Sequence, residues 1–198
     1  MPVPLSKRQS EILDALEALF LERGFRSLSV AELTATAHCS RATLYELART
    51  KEELFLLVLE RIIHRIDVQG RAAAAKVTDP TAKIEAYVTR NVEELSRTGP
   101  GFVDDTTQYR PAARLLNDFA ATAVATLQRF IEEGIANGVF PDVDAEFAAL
   151  MLVAMAQQLT SRQFQAMAGQ PWTESVRAGL NMLVYGIVGG ASPRRRRR

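Results

Sequence analysis

One cysteine, Cys39, and two histidines are the only thiol and imidazole ligands among 198 residues. A single thiol excludes an intrachain disulfide, and three such side chains are too few for a standard Cys/His zinc site. The expected setting is a reduced cytosolic one, and no metal or cofactor is implied. The opening MPVPLSKRQS contains no apolar stretch of the kind that follows the charged end of a signal peptide. The longest uncharged runs, Phe147 to Ser161 and Ala178 to Pro193, are fifteen and sixteen residues and include Gln, Asn and Gly. A membrane span needs about 20 apolar residues, so both are expected as buried helices of a soluble bundle with no membrane partner. Runs of β-branched and aromatic residues at period two do not persist either. Ala, Leu, Glu and Arg dominate instead, which points to an all-α chain.

Catalytic signatures are equally scarce. There is no Gly-rich phosphate loop, nucleophile elbow or Ser-His-Asp pattern. Carboxylate-bridged metal bundles use paired Glu-x-x-His motifs. The nearest feature is Glu60 and His64, four apart and occurring once, a spacing typical of a surface contact on a helix. The chain is not expected to be an enzyme; a helical-bundle enzyme is the reading this pair would favour. Charge is nearly balanced, with 24 Lys and Arg against 23 Asp and Glu. Five of the basic residues are Arg194 to Arg198, so the rest is mildly acidic. Any affinity for nucleic acid must therefore come from where charges sit.

What the chain does have is helical periodicity punctuated by caps. Ile12, Leu13, Leu16, Leu19 and Phe20 recur at helical spacing over residues 6 to 23, and Gly24 follows as a C-terminal stop in the left-handed conformation. Ser29 and Glu32 form a capping-box pattern that starts a short second helix near Val30. Ser40 caps a third helix directly after it, and Thr50 with Glu53 repeats the box before a long fourth helix carrying Leu54, Phe55, Val58, Leu59, Ile62 and Ile66. Two short helices separated only by His38 and Cys39 describe a helix-turn-helix, and so small a module is expected to pack on the fourth helix. Further on, Asp79 caps a helix through Leu95, the breaker Thr98-Gly-Pro-Gly101 ends it, and residues 102–110 give one or two turns. Pro111 opens a helix to about Asn137, Asp142 or Asp144 opens one to about Met167, and a last runs from about Thr173 to Val188. About nine helices result.

The stretch FRSLSVAELTATAHCSRATLYELARTKEEL, Phe25 to Leu54, resembles the DNA-binding signature of the tetracycline-repressor (TetR) family of bacterial transcription regulators. Ser29-Val30 matches the opening of that family's second helix and Leu33 and Ala37 its core positions. Ser40-Arg41 and Thr43-Leu44-Tyr45 match its recognition helix, and Lys51 to Leu54 the start of its fourth. The chain departs from the pattern at His38 and Ala42, where glycine is common, and at Leu47 and Ala48, where a phosphate-contacting and a packing aromatic are frequent. Those two roles are not carried over.

The residues support much the same reading by themselves. Helix N-termini present free N–H groups and a positive dipole end to phosphate. This suits Ser40, Thr50 and Lys51, while Arg41 can read guanine O6 and N7 in the major groove. Thr43 and Tyr45 carry hydroxyls for phosphate or base edges. The DNA-binding set is thus Ser29, Ser40, Arg41, Ala42, Thr43, Tyr45, Thr50 and Lys51. Glu46 either accepts from a cytosine amine or is a solvated charge. Cys39 precedes a helix N-terminus, where a thiol can be activated, but its position corresponds to an apolar packing site.

The resemblance implies a DNA-binding domain over residues 1–50, a ligand-sensing and dimerisation domain over 51–192, and a basic tail over 193–198. It implies a homodimer on double-stranded DNA at a palindromic operator, usually as a repressor, released by a small-molecule inducer. The last two long helices are expected to pair between subunits through residues such as Leu150, Val153, Met155, Leu159, Leu180, Leu183, Val184 and Ile187. Polar groups on apolar faces are candidates for the inducer: His64, Tyr87, Asn91, Phe102, Tyr109, Asn117 and Met151, an inventory that suits a hydrophobic molecule. A helical adaptor that has lost DNA binding is the alternative raised by Glu46, Leu47 and Ala48. The tail is expected to be a solvated end.

Overall fold

The computed structural model describes residues 5–169 and 171–189. Among these residues there are ten helices and no strand: α1 (Lys7–Arg23), α2 (Val30–Thr36), α3 (Arg41–Leu47), α4 (Lys51–Ala74), α5 (Pro80–Leu95), α6 (Pro100–Gln108), α7 (Arg110–Ala136), α8 (Ala145–Thr160), α9 (Arg162–Ala168) and α10 (Trp172–Gly189). The all-helical expectation holds. The helix expected to run to Met167 is instead two, because Ser161 breaks it with extended backbone and its hydroxyl caps α9 by accepting from Phe164 N. The chain packs as two compact units. Of the described residues, one holds those up to Ile66 and Leu95–Phe119; the other holds Asp67–Glu94 and those between Ala120 and Gly189. This packing division differs from a functional boundary near residue 50, because the first turns of α4 bury their apolar face in the core of the first unit.

That core follows from the helical periodicities. Ile12, Leu13, Leu16 and Phe20 of α1, Leu33 of α2, Leu44 of α3 and Leu54, Phe55, Val58 and Leu59 of α4 are all buried together. At its centre Phe55 stacks on Phe25 with ring centroids 4.4 Å apart, and meets Phe20 and Phe102 edge-on at 5.6 and 5.8 Å. Such pairs add roughly 0.5–1.5 kcal/mol beyond burial. Two ion pairs fix α4 against α1 from outside the core. Arg61 reaches Asp14 at 2.7 Å, and Arg65 grips both carboxylate oxygens of Glu17.

The segment around the breaker is more than a linker. Gly99 donates to Leu21 O at 2.6 Å, and a Cβ there would stand 2.3 Å from Glu22 O, so only glycine permits this approach to the end of α1. Two turns on, buried Asp105 accepts from Phe25 N at 2.6 Å and Arg26 N at 3.0 Å, with the Arg26 guanidinium 3.6 Å away. Gly24 has φ 72 and ψ 177, an extended conformation at positive φ rather than the expected left-handed cap, and this presents those two N–H groups to Asp105.

The second unit gathers Ala74, Ile84, Tyr87, Ala123, Leu127, Ile131, Phe140, Ala149, Leu152 and Leu180. Asp144, not Asp142, caps α8 by accepting from Phe147 N at 2.9 Å. Helices α8 and α10 pack on one another, yet Phe147, Leu150, Met151 and Met182 remain largely exposed. The side chains of Val184 and Ile187 lie outside the described set, as do residues 190–198, which include the basic tail. No described helix is long and apolar enough to cross a membrane.

Candidate functional site

The candidate interface is built on α2, α3 and the start of α4. Ser29 caps α2 in a complete capping box: Glu32 N donates to Ser29 Oγ, and Glu32 accepts from both Ser29 N (2.8 Å) and the Ser29 hydroxyl (2.9 Å). The Ser29 backbone and hydroxyl, with Arg23 beside them, hold the Glu32 carboxyl below its ordinary value. Both donors of Ser29 are thereby engaged within the chain. Ser40 caps α3, accepting from Thr43 N at 3.0 Å while its oxygen lies 2.9 Å from the Thr43 hydroxyl.

Helix α3 turns Leu44 inward, only 2% exposed, with Leu47 and Ala48 packed against the same core. Arg41, Ala42, Tyr45 and Glu46 are left exposed on its outer side, followed by Arg49. Tyr45 is 46% exposed, unusual for a large ring. Helical spacing required this division: residues 41, 42, 45 and 46 share a face. It also accounts for the departures at Leu47 and Ala48, which belong to the packing side.

At the start of α4, Thr50 Oγ1 accepts from Glu53 N at 3.0 Å, and Glu53 accepts from Arg49 N at 2.8 Å, one residue earlier than the reciprocal box expected at Thr50. Lys51 turns back into the fold. Its ammonium donates to Leu28 O at 2.8 Å and lies 5.6 Å from the Phe25 ring centroid, a cation–π contact. Part of its capacity is thus spent locking the helix-turn-helix to α4.

The turn itself has a support that local sequence did not reveal. Arg8 on α1 donates to His38 O at 2.6 Å and to Ala37 O at 3.4 Å, holding the α2–α3 turn from 30 residues away. His38 has φ 47, the backbone region for which glycine is favoured. The Cys39 thiol is half-buried against the core; burial pushes its pKa up, with the charge of Arg8 acting in the opposite sense. This is a packing environment, not that of an activated thiol.

The residues considered for a sensor do not form one group. Tyr87 and Asn91 stand one turn apart on α5 in the second unit. Phe102 and Tyr109 belong to the core of the first, where Tyr109 lies 5.4 Å from the Phe25 ring. His64, Asn117 and Met151 are exposed, as is Glu60. Periodicity identifies the residues on one helical face; it does not say which faces meet. Among the described residues no group of three or more His, Cys, Asp or Glu is placed to hold a metal ion.

Residues 12–58, which span most of α1 through the first turns of α4, match the family described as bacterial regulatory proteins, tetR family. An uncharacterized HTH-type transcriptional regulator of Mycobacterium tuberculosis is 31% identical over 112 residues, covering 54% of this chain and 55% of that protein. The chain therefore spans about half the length of that relative. The HTH-type transcriptional repressor KstR2 of Rhodococcus jostii is 26% identical over 149 residues, 72% of this chain and 73% of the relative. In fold, the chain is similar to the transcriptional regulator FadR of Bacillus subtilis, solved in complex with stearoyl-CoA, with TM-score 0.69 at 16% identity over 90% of this chain and 98% of that one.

Proposed function

We propose that this chain, whose residues 12–58 match the family of bacterial regulatory proteins, tetR family, is a ligand-responsive transcriptional repressor that binds a palindromic operator as a homodimer. The observation that carries the reading is the outer face of α3. It presents Arg41, Ala42 and Tyr45 to solvent beside two capped helix N-termini, at Ser40 and Thr50. In this reading Arg41 enters the major groove and reads guanine, and Ala42 gives close approach. Tyr45 and Thr43 contact phosphate or base edges. Ser29, Ser40 and Thr50 act through the helix ends they cap. Lys51, anchored on Leu28 O, has two donors left for a phosphate. The functional division runs near residue 50, with sensing and pairing over 51–192, and the protein works where bacterial DNA is, in the cytoplasm.

Pairing is assigned to α8 and α10. Exposed Phe147, Leu150 and Met151 share one face of α8 by helical spacing and Met182 is exposed on α10, surface too apolar to leave in water, and a second copy of it is the partner. Two recognition helices then fall about 34 Å apart, one turn of DNA. Repression needs nothing further, since a dimer seated on a promoter excludes polymerase. For the sensed molecule, Tyr87 and Asn91 are the candidates carried forward. The apolar surroundings of Tyr87, together with the stearoyl-CoA bound by the Bacillus subtilis regulator, favour a hydrophobic ligand.

Selection from a pool of random duplexes tests the DNA reading. A palindromic site should be enriched, and Arg41→Ala should cost about 1–3 kcal/mol at one position of each half-site and relax the preference there. Enrichment of no site would favour an adaptor that has lost DNA binding. Leu150→Glu should convert the dimer to a monomer by sedimentation. Transcription from a template carrying the selected site should fall on adding the protein; a rise would make it an activator.

A further inference from the structure

We infer that the second unit carries a docking point for the head of an uncharged, hydroxyl-bearing and otherwise apolar molecule, formed by Asp67, Tyr87 and Asn91. This rests on the ligand-responsive reading above and names the chemistry of what is sensed. Asp67 stands on α4, Tyr87 and Asn91 on α5, and Thr126 beside them on α7. Tyr87 is 1% exposed, Asp67 8% and Thr126 2%. Three polar atoms here are shielded from solvent without a well-formed hydrogen bond in the chain: Asp67 Oδ1, Asn91 Oδ1 and the Tyr87 hydroxyl, which Asn91 and Thr126 approach only loosely. Folded proteins leave few such atoms, because the lost hydration is not replaced.

These groups share one neighbourhood. Burial pushes the Tyr87 phenol up, the Asn91 amide and Thr126 hydroxyl oppose that rise, and the Asp67 charge adds to it. Asn91 and the Tyr87 ring both crowd Gly70, where a Cβ would meet Asn91 Oδ1 at 2.4 Å and ring carbons at 3.0 Å. Thr126 gives its proton chiefly to Thr122 O, so it offers the Tyr87 phenol only a shared, weak hydrogen bond. Ile84 and Leu127 belong to the same buried cluster as Tyr87 and make the surroundings apolar.

The chemistry of the three atoms selects the head group. Carboxylate and amide oxygens accept only, so the incoming group must donate. The other Asp67 oxygen pairs with the Arg71 guanidinium, which balances the charge. A cationic head would bring an uncompensated charge into a buried site, and a carboxylate head would face two acceptors. A neutral hydroxyl donates to Asp67 or Asn91 and accepts from the Tyr87 phenol.

Calorimetric titration of the full chain, without DNA, with decanol, decanoate and decylamine tests this. Decanol is expected to bind at least about tenfold tighter than either charged analogue. Tyr87→Phe should weaken decanol about fivefold without lowering the melting temperature, and Gly70→Ala, which pushes into Asn91, should abolish binding. Decanoate or decylamine binding as well as decanol would overturn the proposal, and so would no binding by any of the three. A lowered melting temperature in Tyr87→Phe with unchanged decanol affinity would also overturn it, since the cluster would then be a structural network completed by solvent. Operator affinity is measured separately. Decanol binding that leaves it unchanged keeps the docking point and removes the ligand-responsive reading, so the two failures are distinct.

Discussion

At the scale of single residues, two positions store or relieve conformational cost where the DNA-binding module is held together. His38 occupies the α2–α3 turn at φ 47. A side-chain-bearing residue there costs roughly 1–2 kcal/mol relative to glycine, offset partly by the greater freedom of glycine in the unfolded chain. His38→Gly is therefore expected to raise stability by about 0.5–1 kcal/mol in denaturant titration, with operator affinity retained; a loss of stability would mean the imidazole makes a compensating contact. Asp105 is the opposite case, a buried carboxylate satisfied by Phe25 N, Arg26 N and the Arg26 guanidinium. Asp105→Asn keeps the shape but weakens two charge-assisted bonds, and should cost roughly 1–3 kcal/mol. Capping serines and the buried Leu44 were legible from local sequence, since a cap depends on residues three apart. Asp105 and Arg8 were not, because their partners lie about 80 and 30 residues away and no local pattern records them.

At the scale of elements, α4 takes part in both halves of the proposed mechanism. Its N-terminus is capped by Thr50 and anchored by Lys51 on Leu28 O, its middle is tied to α1 by Arg61 and Arg65, and Asp67 and Arg71 stand near its end. Thr50→Ala removes the acceptor for Glu53 N and is expected to cost about 1 kcal/mol of stability, with Thr50→Ser restoring it. If the capped end also faces phosphate, Thr50→Ala should lower operator affinity more than it lowers stability, read by comparing DNA titration with thermal unfolding. The helices themselves were mostly legible from apolar spacing. The break at Ser161 was not, and α6 only as one or two turns over 102–110: the run Phe147 to Ser161 is apolar on every side, so its period marks no boundary, and α6 is held by contacts of Gly99 and Asp105 with the end of α1.

At the scale of the whole molecule, near-neutral net charge makes DNA affinity a matter of a few placed cations. Operator binding should still weaken as salt rises, with a log–log slope of about −0.9 for each phosphate neutralised. Removing Arg194 to Arg198, which lie outside the described residues, should leave specific affinity within about twofold while reducing nonspecific binding at low salt. A large loss of specific affinity would give the tail a direct place on the operator. The sequence by itself determined the all-α class, the helix-turn-helix and the inward and outward faces of α3, because periodicity and capping are short-range and read within a few turns. Only the tertiary structure decided which distant groups meet: Arg8 on the turn, Lys51 on Leu28 O, Asp105 on the end of α1, and Tyr87 with Asn91 beside Asp67. Such contacts depend on how helix faces pack, which the spacing of residues along the chain does not encode.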